Sequence, residues 1–127
     1  MFASHYRLQM DDKFRIRLPA KLRQELGEKP YIMPGKFGEL RIYSNAEAEV
    51  YLNDIKNESE KDSESMKKAV QFMVNVQEIS EDAQGRFVLN ESLRNYAKII
   101  KDVVFVGLFN KIVLYSAEEF EKINGEG

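Results

Sequence analysis

Cysteine is absent from the 127 residues, which removes a disulfide framework, a thiolate metal site and a cysteine nucleophile. Histidine occurs once, as His5, so metal chemistry through grouped imidazoles is excluded too. His5 is either a contact to phosphate or a partner, or a plain surface residue at a strand end. No apolar run approaches the roughly 20 residues that a membrane helix needs, and no charged stretch followed by a long apolar one marks the N-terminus. The expectation is a soluble, cytoplasmic chain without a membrane partner. A surplus of positive charge is missing as well. The net charge of −2 argues against a generic polyanion binder, because non-specific affinity for nucleic acid comes from a basic surface that neutralises phosphates.

What is present is a duplication. The stretch MDDKFRIRLPAKLRQELG, Met10 to Gly27, is echoed degenerately as SEDAQGRFVLNESLRNYAK. Asp11 recurs as Asp82, Arg15 as Arg86, Leu18 as Leu89 and Leu22-Arg23 as Leu93-Arg94, all at one offset. Gly35, Phe37 and Tyr43-Ser44 recur as Gly107, Phe109 and Tyr115-Ser116 with one residue more, a gain that falls between a helix and the next strand, where loop length is tolerant. The chain divides into repeats of about 1–55 and 70–124, joined by a polar stretch of about 56–69 that is either a solvated loop or a helix with only Met66, Ala69 and Val70 to bury. Each repeat would be marginal alone, and 43% hydrophobic content suits one modest shared core.

Each copy follows the same physical pattern of strand, arch, strand, helix, strand. Residues Phe2 to Met10 alternate, with Tyr6, Leu8 and Met10 on one side and His5, Arg7 and Gln9 on the other. Asp11 to Phe14 connect to Arg15-Ile16-Arg17-Leu18, whose alternation puts both arginines on one face. Pro19 stands where a helix can begin, Leu22 and Leu26 share one face, and Gly27 supplies the stop. Tyr31-Ile-Met and Leu40 to Tyr43 are further strands. Ser44 or Asn45 caps a helix from Ala46 to about Asn53, with Val50, Tyr51 and Ile55 as its apolar positions. In the second copy, Phe72 to Ile79 form a strand, Asn90 takes the place of Pro19 as an N-cap former, Val103 to Val106 form a core strand, and Ser116 caps a helix through Phe120 and Ile123. The Gly-rich tail after Asn124 is expected to fray.

The chemistry concentrates in the arches. Asp11 and Asp82 can each receive backbone N–H groups in their turn and pair with the arginine four residues on, holding the arch shut. A guanidinium has five donors, so Arg15 can satisfy Asp11 and still present N–H groups to a phosphate or a guanine edge. Lys13 at the arch tip is either a phosphate contact or a solvated lysine. Arg23 and its echo Arg94 lie on helices and suit structural roles. From His5 to Glu25 six bases face three acids, whereas from Gln77 to Lys101 four bases match four acids. If one copy faces DNA, it is the first.

Asp-x-x-x-Arg followed by Leu-Pro-Ala-Lys-Leu-Arg, doubled in one chain and succeeded by GLFNKIVLYS, resembles the MraZ family, the two-repeat branch of the AbrB/MazE-like swapped-hairpin proteins. The resemblance spans nearly the whole chain. It implies an α+β, β-rich fold in which a tandem pseudo-two-fold repeat of swapped hairpins makes a β-barrel with short helices. It also implies a nucleoid-associated transcriptional regulator that assembles into a ring, octameric or larger, and binds repeated promoter boxes of the division and cell-wall gene cluster in double-stranded DNA. The candidate DNA contacts are then Lys13, Arg15, Arg17, Arg7, Lys21 and Arg86, with Asp11 and Asp82 as structural arch residues. Two departures stand out. Phe14 occupies a place where the family usually has Gly, sometimes Asn, and where the second copy keeps Gly85; its ring suits a sugar or base edge, or a neighbouring subunit. Val70-Gln71-Phe72 stands where relatives carry arginine.

Two other classes compete with this reading. An antitoxin-like or scaffold protein of the same fold would set its more acidic second copy against a basic partner and bind no DNA. A hydrolase would use Asp11 and Asp82 as paired carboxylates, but no Ser-His pair or phosphate-cradling glycine loop accompanies them. No catalytic residue, cofactor, metal or small-molecule substrate is therefore assigned.

Overall fold

The computed structural model describes residues 1–125, so the remainder of the tail expected to fray lies outside the described residues. Strand β1 (His5–Gln9) exposes His5, Arg7 and Gln9 and half-buries Tyr6 and Leu8. Phe2, expected within this strand, instead forms an isolated bridge with Phe109, each N–H donating to the other's carbonyl at 2.8 and 3.1 Å. After the first arch come β2 (Arg15–Arg17) and α1 (Ala20–Leu26). Pro19 precedes α1 directly, where its missing N–H leaves no helical bond unmade, and Gly27 ends the helix with φ at 71°. Strands β3 (Tyr31–Pro34) and β4 (Leu40–Tyr43) complete the first half.

Between the halves lies a helical hairpin. Helix α2 (Asn45–Ser59) starts on Ser44, whose hydroxyl accepts the Glu47 N–H, and runs well past Asn53 because neither Gly nor Pro interrupts it. Tyr51 and Ile55 are half-buried one turn apart, while Val50 is exposed. Helix α3 (Ser63–Met73) starts on Asp62, whose carboxylate accepts the Ser65 N–H at 2.7 Å. This corrects the strand expected from Phe72 to Ile79. Met66, Ala69, Val70 and Met73 recur at helical spacing, so the helix claims Phe72 and Met73 and leaves only β5 (Gln77–Glu78) extended.

The second half continues with β6 (Arg86–Val88), α4 (Glu91–Tyr96), β7 (Asp102–Leu108), β8 (Lys111–Ser116) and α5 (Ala117–Asn124). Asn90 does precede α4, but its side chain makes no capping bond; its backbone N–H goes to Gln77 Oε1 at 3.1 Å. The Ser116 hydroxyl caps α5 by accepting the Glu119 N–H at 3.1 Å; in that helix Phe120 is half-buried and Ile123 exposed. None of the described helices is long and apolar enough to cross a membrane.

The protein is α+β with antiparallel pairing throughout. Six strands form one sheet in the order β1-β7-β8-β4-β3-β5, and β2 with β6 forms a separate two-stranded ribbon. The sheet is open, since no pairing joins β1 to β5 among the described residues; the short β5, curtailed by α3, offers little edge to close a barrel. Among the described residues, only β3–β4 and β7–β8 pair within one half. Every other ladder joins a first-half strand to a second-half strand.

One core follows from this interleaving. Ile16 and Phe87 of the ribbon, Leu22 of α1 and Leu93 of α4 pack with Ile32, Ile42, Phe105, Ile112 and Leu114 of the sheet. On the opposite sheet face, Met33 and Tyr43 are covered by Ala48, Tyr51 and Phe72, with the Tyr43 and Tyr51 rings stacked at 5.3 Å between centroids. Phe87 is 1% exposed. Its replacement by Ala is expected to cost about 3–5 kcal/mol through lost transfer energy and the cavity left behind. Because strands of both halves meet there, chemical denaturation monitored by circular dichroism should show a single transition shifted as a whole, not the loss of one half before the other.

Candidate nucleic-acid interface

Each arch is built around an aspartate. Asp11 Oδ1 accepts the backbone N–H groups of Lys13 and Arg15, both at 2.9 Å, while its Oδ2 accepts Arg15 Nε at 2.7 Å. Asp82 repeats this with Gln84 and Arg86, both at 2.9 Å, and Arg86 Nε at 3.0 Å. Backbone bonds close each turn: Asp11 N–H to Arg15 O and Phe14 N–H to Asp11 O in one, Asp82 N–H to Arg86 O and Gly85 N–H to Asp82 O in the other. The Arg15 backbone N–H is the main cause holding the Asp11 carboxyl below its ordinary value, with burial opposing and the Arg15 side chain and the Lys13 N–H adding to it. The Arg86 backbone N–H does the same for Asp82, against burial and with help from Gln84 and the Arg86 side chain. Both aspartates are thus committed as clamps. A depressed carboxyl is the reverse of what a general acid needs, and neither aspartate lines any of the described cavities, including one of about 330 Å³ between α2, α3 and the β3–β4 turn.

The ribbon joins the two arches. Arg15 lies opposite Val88, Ile16 opposite Phe87 and Arg17 opposite Arg86. Directly paired residues share a side of the ladder, so Ile16 and Phe87 enter the core together and Arg15, Arg17, Arg86 and Val88 form the outer face. Arg86 also reaches across to Asp11, with Nη1 at 3.9 Å from Oδ2. The basic face is therefore composite, not a property of the first copy alone as the charge count suggests. Lys13 is exposed at the first arch tip and Lys21 in the first turn of α1; no ion pair engages the side chains of Lys13, Arg17 or Lys21 among the described residues. Arg7 lies on β1, outside the ribbon. It pairs with Glu121 of α5 at 3.2 Å from the edge strand.

Phe14 has φ at 62°, where the matching Gly85 has 77°. For a residue with a side chain, the left-handed region costs about 1–2 kcal/mol. The Phe14 carbonyl accepts the Leu89 N–H at 2.9 Å, and the Arg94 guanidinium lies over its ring at 3.7 Å from the centroid while donating to the Leu89 carbonyl. Such a cation–π contact returns about 0.5–1 kcal/mol at an exposed site, at most the lower end of what the twist costs. At the second arch Arg23 occupies the corresponding space: a Cβ on Gly85 would stand 2.4 Å from Arg23 Nη1, which also pairs with Glu81 at 3.4 Å. Arg23 and Arg94 hence hold the arches from the opposite halves' helices. The repeat hints at this crossed arrangement, but only strand pairing reveals that Arg17 faces Arg86.

An α+β chain with two aspartate-clamped arches and a cationic two-stranded face defines a class of small binding protein. Comparison with known proteins narrows it. The model of the MraZ protein family, described as antitoxin-like, matches residues 1–70 and 72–126. A relative from Mycoplasma mobile named transcriptional regulator MraZ is 38% identical, covering 97% of this chain and 84% of its own length. Relatives of the same name from Lachnoclostridium phytofermentans, at 34% with 95% and 85% covered, and Clostridium tetani, at 33% with 98% and 87% covered, agree. The chain belongs to the MraZ family of transcriptional regulators.

The clamps make stability depend on acidity. Since Asp11 and Asp82 have folded values below the ordinary 3.8, their stabilisation is complete above that value and is lost as pH falls through the folded values. Thermal melting is expected to weaken below about pH 4 in the wild type. Asp11→Asn should melt lower at neutral pH and show a shallower acid-side loss; parallel curves for the two proteins would dissociate Asp11 from the effect.

Proposed function

We propose that this regulator binds duplex DNA through the outer face of β2 and β6, and that it does so as a ring of identical subunits, octameric or larger. The carrying observation is Arg17 directly opposite Arg86, with Arg15 beside them and Ile16 and Phe87 fixed inward. Like charges paired across a ladder destabilise a sheet; Asp82 and Asp11 neutralise Arg86 in part, but no ion pair engages Arg17 among the described residues, and a phosphate set at this pair would supply its counter-charge. Lys13 and Lys21 extend the face with ammonium groups suited to phosphates, and Arg15 and Arg86 hold spare N–H donors after satisfying their aspartates. Arg7, exposed on β1 and paired with Glu121 at 3.2 Å, is the outlying member of this set. The DNA would be the repeated promoter boxes of the division and cell-wall gene cluster, at the nucleoid in the cytoplasm.

The crossed ladders support the interpretation of the chain as two interleaved copies, about 1–55 and 70–124, of one swapped-hairpin unit, with the helical stretch about 56–69 between them. Assembly would then multiply a weak grip into avidity along repeated boxes. Its surfaces are at hand: the outer edge of β1 carries no partner strand among the described residues, and Met66, Val70, Met73 and Val74 leave an apolar stripe exposed on and just beyond α3.

Arg17→Ala is expected to leave melting unchanged or slightly raised while DNA affinity falls, with the slope of log affinity against log salt reduced by roughly one. Fluorescence anisotropy with a promoter duplex over a salt series checks this; no salt-dependent binding by the wild type would favour a scaffold without DNA. Separately, Val70→Glu should reduce the assembled mass seen in sedimentation velocity without lowering the melting temperature.

A further inference from the structure

The geometry points to Phe14 as an added reading element of this interface, a ring that packs on apolar surface of the duplex, either a deoxyribose face or a thymine methyl. The inference rests on the DNA-binding role proposed above. Three observations carry it. The arch does not need this ring, because Gly85 makes the equivalent turn with nearly the same φ. Burial accounts for it only in part, since Phe14 remains 44% exposed even with Arg94 over one face. And the stacking at most matches the lower end of what the left-handed twist costs, so the open part of the ring adds little to folding. What the ring does have is position: it sits between Lys13 and Arg15 at the tip of the arch whose neighbours are proposed to grip phosphates.

Its mounting is firm. The Phe14 N–H is given to Asp11 O, its carbonyl takes the Leu89 N–H, and the guanidinium of Arg94 both covers the ring and is anchored on Leu89 O. A side chain held in this way loses little freedom when it meets a partner, and an apolar surface flanked by cations matches the sugar and base-methyl surface that lies between phosphates. Arg94 is accordingly a positioning residue, occupied in backing the ring.

The test uses Phe14→Gly and Phe14→Asn, both of which accept the left-handed backbone, in the intact protein with a duplex of the DNA upstream of its own gene. Expected are unchanged or raised melting temperatures, unchanged sedimentation, an affinity lowered about tenfold, and an unaltered salt slope, because an apolar contact releases no counterions. Lys13→Ala, in contrast, should lower that slope by roughly one. Replacing thymine by deoxyuridine in the duplex separates the two surfaces: a wild-type loss that vanishes in Phe14→Gly assigns the methyl, and no difference assigns the sugar. Wild-type affinity in both Phe14 variants overturns this inference and leaves the phosphate-binding face standing, as does a loss of affinity that comes with broken assembly, which would make Phe14 a subunit contact. A wild-type protein indifferent to duplex at low salt overturns both.

Discussion

The period of two along a β-strand governs this protein. Once Ile16 and Phe87 are buried against each other, Arg15, Arg17 and Arg86 have no direction left but outward, and a slip of β2 by one residue would bury two guanidinium groups, a slip of β6 the third. The hydrophobic core and the cationic face are thus set by one register. The aspartates secure that register from its ends, because each carboxylate fixes the turn that delivers its strand to the ribbon. An interface created in this manner needs no separate scaffold, and it cannot loosen without exposing the core.

The crossing of strands between halves gives the same result on a larger scale. Strand β1 has β7 as its partner, β4 has β8, and β3 takes β5, so neither half owns a complete sheet. Arg94 reaches from α4 to the first arch and Arg23 from α1 to the second, which ties each arch to the other half's helix. Burial of so many side chains from both copies in one cluster offsets the entropy that each half would be unable to meet alone.

Much of this was legible in the residues. The Asp-x-x-x-Arg spacing identified the clamp, the alternation around Ile16 identified which side chains emerge, and Ser44, Gly27 and Ser116 marked helix ends that the structure confirms. The failures have physical sources. Phe72 to Ile79 fits a strand by local pattern, but the Asp62 cap starts a helix whose apolar spacing runs through Met73, and local patterns of period two and 3.6 overlap in so short a span. Asn90 has the chemistry of a cap, yet Gln77, a long-range neighbour, takes its N–H. Glu121 beside Arg7 is likewise a tertiary neighbour that no local pattern contains. Which strand pairs with which, and so the meeting of Arg17 with Arg86, is a long-range fact that no local pattern contains.

Phe14 and Gly85 also differ in a way that reaches beyond affinity. Two like arches would accept a DNA segment in either direction, since turning it end for end exchanges one tip for the other. Lys13 against Gln84 and Arg17 against Val88 already break that equivalence, and an aromatic ring on the first tip alone widens the difference. On the proposed contact, each subunit would prefer one polarity of its box.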